Sequence, residues 1–396
     1  MLSDELIEKV VERLANRMEQ ANIYVLKEIA RSIKEIGTIN PTKLQQLIQT
    51  LKYGGNYKKI IKKLEQLTKL NASEIEAIFE EVAKSDYKLA KKFYDYRNME
   101  YVPYGKNKEL QTQVKALASI AKDEYMNLTK TTALGFGYKQ PDGSIKFTQL
   151  KQAYRDIVDE AFLSVSQGKE TFDSAMYRQL RNLGESGLKV QYETGYTRRL
   201  DSALRMNLKS ALRNLHNEVQ KQVGEEFGAD GVEISVHENP AEDHEDAQGR
   251  LFSNEEFEKL QTEGTATTYD KKHIDMHKGA NFRPISEWNC YHYTFAIVLG
   301  VSEPNYSDKQ LKEIKERNDK GFEYEGKHYS MYEGTQLQRQ IETEIRRQKD
   351  NQIIANEADN QQLLLDSKKR IRALRQKYKE LCDISGLAPK LERMKI

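Results

Sequence analysis

Apolar residues recur every three or four positions through most of this chain, and that period commits it to long amphipathic helices. The first run sets the pattern, with Leu6, Ile7, Val10, Val11, Leu14, Met18, Val25, Ile29 and Ile33 on one face and Gly37 as a stop. Asn40 and Pro41 read as the N-cap and first residue of a second helix through Leu51, which Gly54 and Gly55 end. Ser73, with Glu76 three residues on, reads as a capping box that opens a further helix through Phe79 and Val82. Residues 1–100 are therefore expected to form an N-terminal helical region.

Between Tyr101 and Ile145 the pattern weakens, and Gly135, Gly137, Pro141 and Gly143 predict a loop or small hairpin there. Helical spacing returns over Leu150 to Val165, Phe172 to Leu183 and Leu200 to Val223, so 101–228 reads as a helical middle region. After Gly228 the period shortens to two. Val232, Ile234 and Val236 alternate with Glu233 and Ser235, as in a half-buried strand, and the run ends at His237. Residues 229–306 are expected to be a small α+β module. Residues 307–396 turn helical and charged again, with one stretch through Gln336, Arg339, Ile341, Ile345, Arg346 and Arg347 and another from Leu363 to Leu381. The expected fold is mainly α with a smaller α+β domain: elongated helical N-terminal and C-terminal regions flank a compact His/Cys-containing module.

Composition supports that picture. At 396 residues the chain exceeds the size at which one core usually stops growing, yet only 38% of it is hydrophobic and 31% is charged, which leaves wide solvated helix faces. Such helices are expected to gain order from surrounding subunits. Lys and Arg (63) nearly balance Asp and Glu (61), so no global field holds the chain on nucleic acid or an anionic membrane. No stretch approaches the ~20 apolar residues of a bilayer span, and the acidic start MLSDELIEKVVERL is unlike a signal peptide, so cytosolic synthesis and no membrane partner are expected. Cys290 and Cys382 are too isolated to read as a disulfide framework. Tyrosines outnumber phenylalanines, 22 to 12, a bias that favours protein interfaces.

The sharpest chemical signal lies in the module, where His237, His244, His273, His277 and His292 cluster around Cys290. Imidazole and thiolate suit a tetrahedral Zn²⁺, and Cys290-Tyr291-His292 can present two donors on the same side of an extended chain. A zinc site of His237, His244, Cys290 and His292 can be drawn. The competing reading is a metal-dependent hydrolase or nuclease using His237, Asp243, His244, Asn289 and His292. Glu238, Glu242, Asp243, Glu245 and Asp246 would repel a phosphate backbone from those groups, and the familiar nucleotide-binding and hydrolase motifs are missing, so no catalytic residue is expected. A separate basic helix face, Arg198, Arg199, Arg205, Lys209 and Arg213, reads as a solvated face or as a contact for nucleic acid or an acidic partner.

An ordered set of short segments carries a resemblance. Val190 to Gly195, Arg199 to Arg205, Val236-His237, His244, Gln248 to Arg250, Trp288 to His292, and then Tyr329, Tyr332, Gln336, Arg339, Glu342, Ile345 and Arg346 together resemble minor capsid proteins of tailed phages that infect Gram-positive hosts, themselves distantly like the Mu F-like head morphogenesis proteins. The resemblance spans nearly the whole chain. It implies a low-copy structural protein of the virion head, made in the host cytoplasm and present as more than one chain near the portal vertex. Its implied contacts are with the portal, the major capsid protein or both, and with packaged DNA, in head assembly or DNA delivery and without established catalysis. The chain departs from the family pattern in having Ala241-Glu242-Asp243 before the second histidine and Tyr291 between the cysteine and the last histidine, where the family tends to carry arginine.

Overall fold

Long helices carry most of the fold of this computed structural model, which describes residues 4–38, 55–96, 98–140, 142–167, 172–277, 282–287 and 290–395. Ten α-helices occur among the described residues: α1 (Asp4–Thr38), α2 (Gly55–Tyr96), α3 (Lys108–Leu128), α4 (Leu150–Gln167), α5 (Phe172–Ser186), α6 (Leu200–Phe227), α7 (Asn254–Glu263), α8 (Asp308–Lys320), α9 (Met331–Glu357) and α10 (Gln361–Ser385). Among these residues no helix is long and apolar enough to cross a membrane. The mainly α class with a smaller α+β part is what the chain adopts.

The strands form small antiparallel sheets. β1 (Leu134–Lys139) and β2 (Ile145–Gln149) make the hairpin read from the glycines, and β3 (Lys189–Gln191) and β4 (Thr197–Arg199) extend it in the order β2-β1-β3-β4. In the module, β5 (Gly231–Ile234) is the middle strand between β6 (Leu251–Ser253) and β9 (Thr294–Ile297), while β7 (Thr265–Thr267) pairs with β8 (His273–Asp275). A last hairpin, β10 (Phe322–Tyr324) and β11 (Lys327–Tyr329), precedes α9.

The helices share one large core. Leu26 and Ile29 of α1, Phe79 of α2, Tyr125 of α3, Tyr154 of α4, Leu204 and Leu215 of α6 and Ile354 of α9 all bury in it. Residues far apart in the chain thus remove apolar area from water together, at roughly 25 cal/mol per Å². Two smaller clusters sit apart, one in the module around Ile234, Phe252 and Leu260, the other around Phe322, Ile345 and Leu381.

Polar groups inside the large core are answered by charge. Glu19 and Asn22 of α1 are buried, and Arg199 reaches Glu19 at 3.3 Å, Asp201 at 3.3 Å and Asp350 at 2.7 Å. Asn22 donates to Asp350 and accepts the Leu188 amide, and Arg205 and Arg346 both pair with Asp201. A buried ion network of this kind fixes how α1, α6 and α9 register on one another, because each unpaired member would keep its full desolvation cost.

Three local readings change. Ser73 does not open a helix: α2 runs through it, its hydroxyl donating to the Leu70 carbonyl at 2.8 Å while Leu67, Ile75 and Phe79 keep one buried stripe. Helix α3 occupies the stretch where the pattern weakens. Its buried positions, Leu110, Val114, Ala118, Ala121 and Tyr125, keep helical spacing but include two alanines, which blunts the apolar signal, and Asn107 caps its first turn. The hairpin β10–β11 interrupts what reads as continuous helix after Ser307. The helix expected from Asn40 to Leu51 lies outside the described residues.

Candidate metal centre

Antiparallel pairing of β5 with β9 creates this site. Beyond Ile234 and Thr294 the two strands stay side by side, with the Ser235 amide donating to the Tyr293 carbonyl at 2.8 Å and the Tyr293 amide to the Ser235 hydroxyl at 2.8 Å. His237 therefore comes to lie beside Tyr291 and His292, although more than fifty residues separate them in sequence. The intervening loop folds back through turns, in which the Gln248 amide donates to the His244 carbonyl at 3.1 Å and the Gly249 amide to the Ile234 carbonyl at 2.8 Å. That return brings His244 and Gln248 onto the same spot.

One donor atom each from His244, Cys290 and His292 lie within 4.8 Å of one another, and all three side chains are buried. The Cys290 Sγ is 3.3 Å from Nδ1 of His292. His237 stacks on His292, ring centroids 4.4 Å apart and planes tilted by 37°, but is not one of the three converging groups. His273 and His277 are exposed and lie elsewhere, the latter donating from Nε2 to the Glu263 carbonyl. Asn289 is outside the described residues.

The surroundings fix how the rings sit. Nε2 of His244 is 2.8 Å from the carbonyl oxygen of Arg283, which can only accept, so that nitrogen carries the proton. Gln248 Oε1 accepts the His237 amide at 3.2 Å, which orients its amide group, and the same oxygen is 3.2 Å from Nε2 of His292. That nitrogen is therefore also protonated. Asp243 does not join the cluster: it holds Arg283 in a bidentate pair at 2.7 and 2.8 Å and so steadies the carbonyl that orients His244. Ser286 donates to the His292 carbonyl at 3.0 Å. Gln248, Arg283 and Ser286 are the residues that sequence spacing did not reveal.

Burial governs the protonation of the cluster. It pushes His292 well below the usual histidine range, His237 down to about 4 and His244 downward, in each case because desolvation disfavours the imidazolium. It pushes the Cys290 thiol up. Neutral imidazoles, each with a lone pair on one ring nitrogen, are the form that ligates a metal ion.

The basic residues read as one helix face divide between β4, which holds Arg198 and Arg199, and α6, which holds Arg205, Lys209 and Arg213, and they are engaged within the fold. Arg199 and Arg205 serve the ion network, Arg205 also pairs with Glu12, and Lys209 pairs with Glu8. Buried Arg213 lies over the ring of Tyr291, 4.7 Å from its centroid, and Arg198 over that of Tyr196 at 5.5 Å. Tyr291 also accepts from Arg339 at 3.0 Å, so cations from α6 and α9 converge on its ring and hydroxyl. In the acidic stretch, Glu245 and Asp246 are held by Lys315 of α8.

A family model described as phage minor capsid protein 2 matches residues 2–383. No curated protein and no solved structure matches the chain.

Proposed function

Because the chain belongs to the phage minor capsid protein 2 family, and is thus a minor structural component of a phage virion, we propose that it sits with the portal at the head vertex and acts in head assembly or DNA delivery through protein contacts. The family match over residues 2–383 carries the structural part of this reading. The enclosure of His244, Cys290 and His292 also favours it over the hydrolase reading, because a phosphodiester would have to reach groups that are almost out of solvent. The test is incorporation. Proheads assembled with portal should contain the chain, and proheads assembled without portal should lack it. Equal incorporation into both would sink the portal assignment, and absence from both would remove the head role.

A contact with packaged DNA is favoured at a different place from the basic face of α6. Helix α10 carries seven Lys and Arg against three acids. Lys368, Arg372, Arg375 and Lys379 are exposed at spacings of three and four, one stripe of its outer face. Such a stripe tracks a phosphate backbone without reading bases. Changing all four to Gln should lower the slope of log K against log salt for a DNA duplex by roughly 3 to 4. An unchanged slope would rule this stripe out.

A further inference from the structure

We propose that His244, Cys290 and His292 bind one zinc ion, that His237 supplies the fourth ligand, and that the ion staples the 237–250 loop to the chain entering β9. Four observations carry this assignment.

The first is distance. A tetrahedral Zn²⁺ with bonds of about 2.0–2.1 Å to nitrogen and 2.3 Å to sulfur places its donors about 3.3–3.6 Å apart. Cys290 Sγ and His292 Nδ1 already stand at 3.3 Å, and the whole trio lies within 4.8 Å, so binding requires a contraction of roughly an ångström and no change of fold. The second is the count of protons. With both Nε2–H groups committed, one to the Arg283 carbonyl and one to Gln248, each ring is left a lone pair on its other nitrogen. The Cys290 thiol has a single proton to offer the two of them. A cation meets both lone pairs and the sulfur at once.

The third is the second layer of contacts. A ligating histidine usually donates its other N–H to a carbonyl, carboxylate or amide oxygen, and both rings do so here. Asp243, held against Arg283 near the site, offsets positive charge at that edge. The fourth is the position of His237. Its ring stacks on His292 at the rim of the cluster and is only partly buried, so it can turn inward as a fourth donor without disturbing the three behind it. The purpose is mechanical. Among the described residues the module's own apolar cluster is small, with Ala247 of the loop part of it, and a metal bond can supply folding free energy that such a core lacks.

The test uses the purified full-length chain, so it is independent of whether heads incorporate it. Elemental analysis should find about one zinc per chain. Co²⁺ added after chelation should give visible bands of a tetrahedral site together with a near-ultraviolet thiolate charge-transfer band. Cys290→Ser should lose the charge-transfer band, and Cys382→Ser, whose thiol accepts from Gln338 in the separate cluster around Ile345 and Leu381, should keep it. His237→Gln should weaken Zn²⁺ binding at least tenfold while leaving the charge-transfer band. Less than a tenth of a zinc per wild-type chain, with no Co²⁺ bands on titration, would overturn the site. Unchanged affinity in His237→Gln would overturn the fourth ligand. Should Cys290→Ser fail to fold, the wild-type zinc content and Co²⁺ spectrum still decide the matter.

Discussion

Arg199 and Asp350 meet at 2.7 Å, one at the start of α6 and the other in α9, with side chains 5% and 0% exposed. The same guanidinium also faces Glu19 and Asp201, so one cation stands among three buried carboxylates. Burial pushes Asp350 up to about 7 against the pull of Arg199. Burial works in the same direction on Asp201, but Arg346, Arg199 and Arg205 outweigh it and hold that carboxyl well below its usual range. The network is therefore held by its arginines.

Removing the central cation should be severe. Arg199→Met strips three buried carboxylates of their shared partner and should cost about 3–5 kcal/mol, read as a fall in urea midpoint at unchanged m-value. Adding Asp350→Asn should restore part of the loss. A loss below about 1 kcal/mol in the single variant would show that water or rearrangement replaces Arg199.

Lys189 offers a test by pH. Desolvation, with Arg347 and Arg199 nearby, pushes its ammonium down to about 8. A lysine whose folded pKa is depressed binds fewer protons folded than unfolded, so its cost to stability is full below about 8 and fades as pH rises toward the unfolded value, about 10.4. The wild-type chain should gain stability across that window relative to Lys189→Met, and the variant should be the more stable by roughly 1–3 kcal/mol at pH 7. Parallel stability curves for the two proteins between pH 7 and 10.5 would contradict the argument.

Gly321 links α8 to β10 at φ 48°, and a Cβ there would clash with the Tyr329 carbonyl oxygen. Gly321→Ala should thus cost more than about 2 kcal/mol, combining backbone strain with a backbone clash. Gly143→Ala, also at positive φ but with open space around it, should cost about 1 kcal/mol. Equal losses measured by thermal unfolding would place the whole effect in the φ angle.

Ser330 starts α9 with a reciprocal cap, its hydroxyl accepting the Glu333 amide at 3.2 Å while the Glu333 carboxylate accepts the Ser330 amide at 2.9 Å. Ser330→Ala should lower stability by about 1 kcal/mol. Hydrogen exchange should quicken in the first turn of α9 and stay unchanged near Ile354.

Much of this was legible in the residues. The stripes of α1, α4, α6 and α9 are periodic enough to place the helices, and alternation from Val232 to Val236 locates β5 to within two residues. What was not legible depends on long-range pairing. Arg205 and Lys209 read as an open basic face because Glu12 and Glu8, which answer them, lie about two hundred residues away. Helix α3 hid behind alanines that are small in area yet buried. At the metal centre, histidine and cysteine content pointed to the neighbourhood. The orienting roles of Gln248 and Arg283 follow only from β5 lying next to β9.

Asn22 bonds to Asp350 across a gap of 328 residues, and α1 packs against α6 and α9 in one core. On the ribosome, then, the first helix emerges long before α6 and α9, two of the helices that cover it, exist. Part of its apolar stripe can pack early on α2, where the Asn71 amide donates to the Leu14 carbonyl, but its contacts with α9 must wait until synthesis passes residue 350. Completion of the large core of this capsid protein therefore waits until most of the chain has been made.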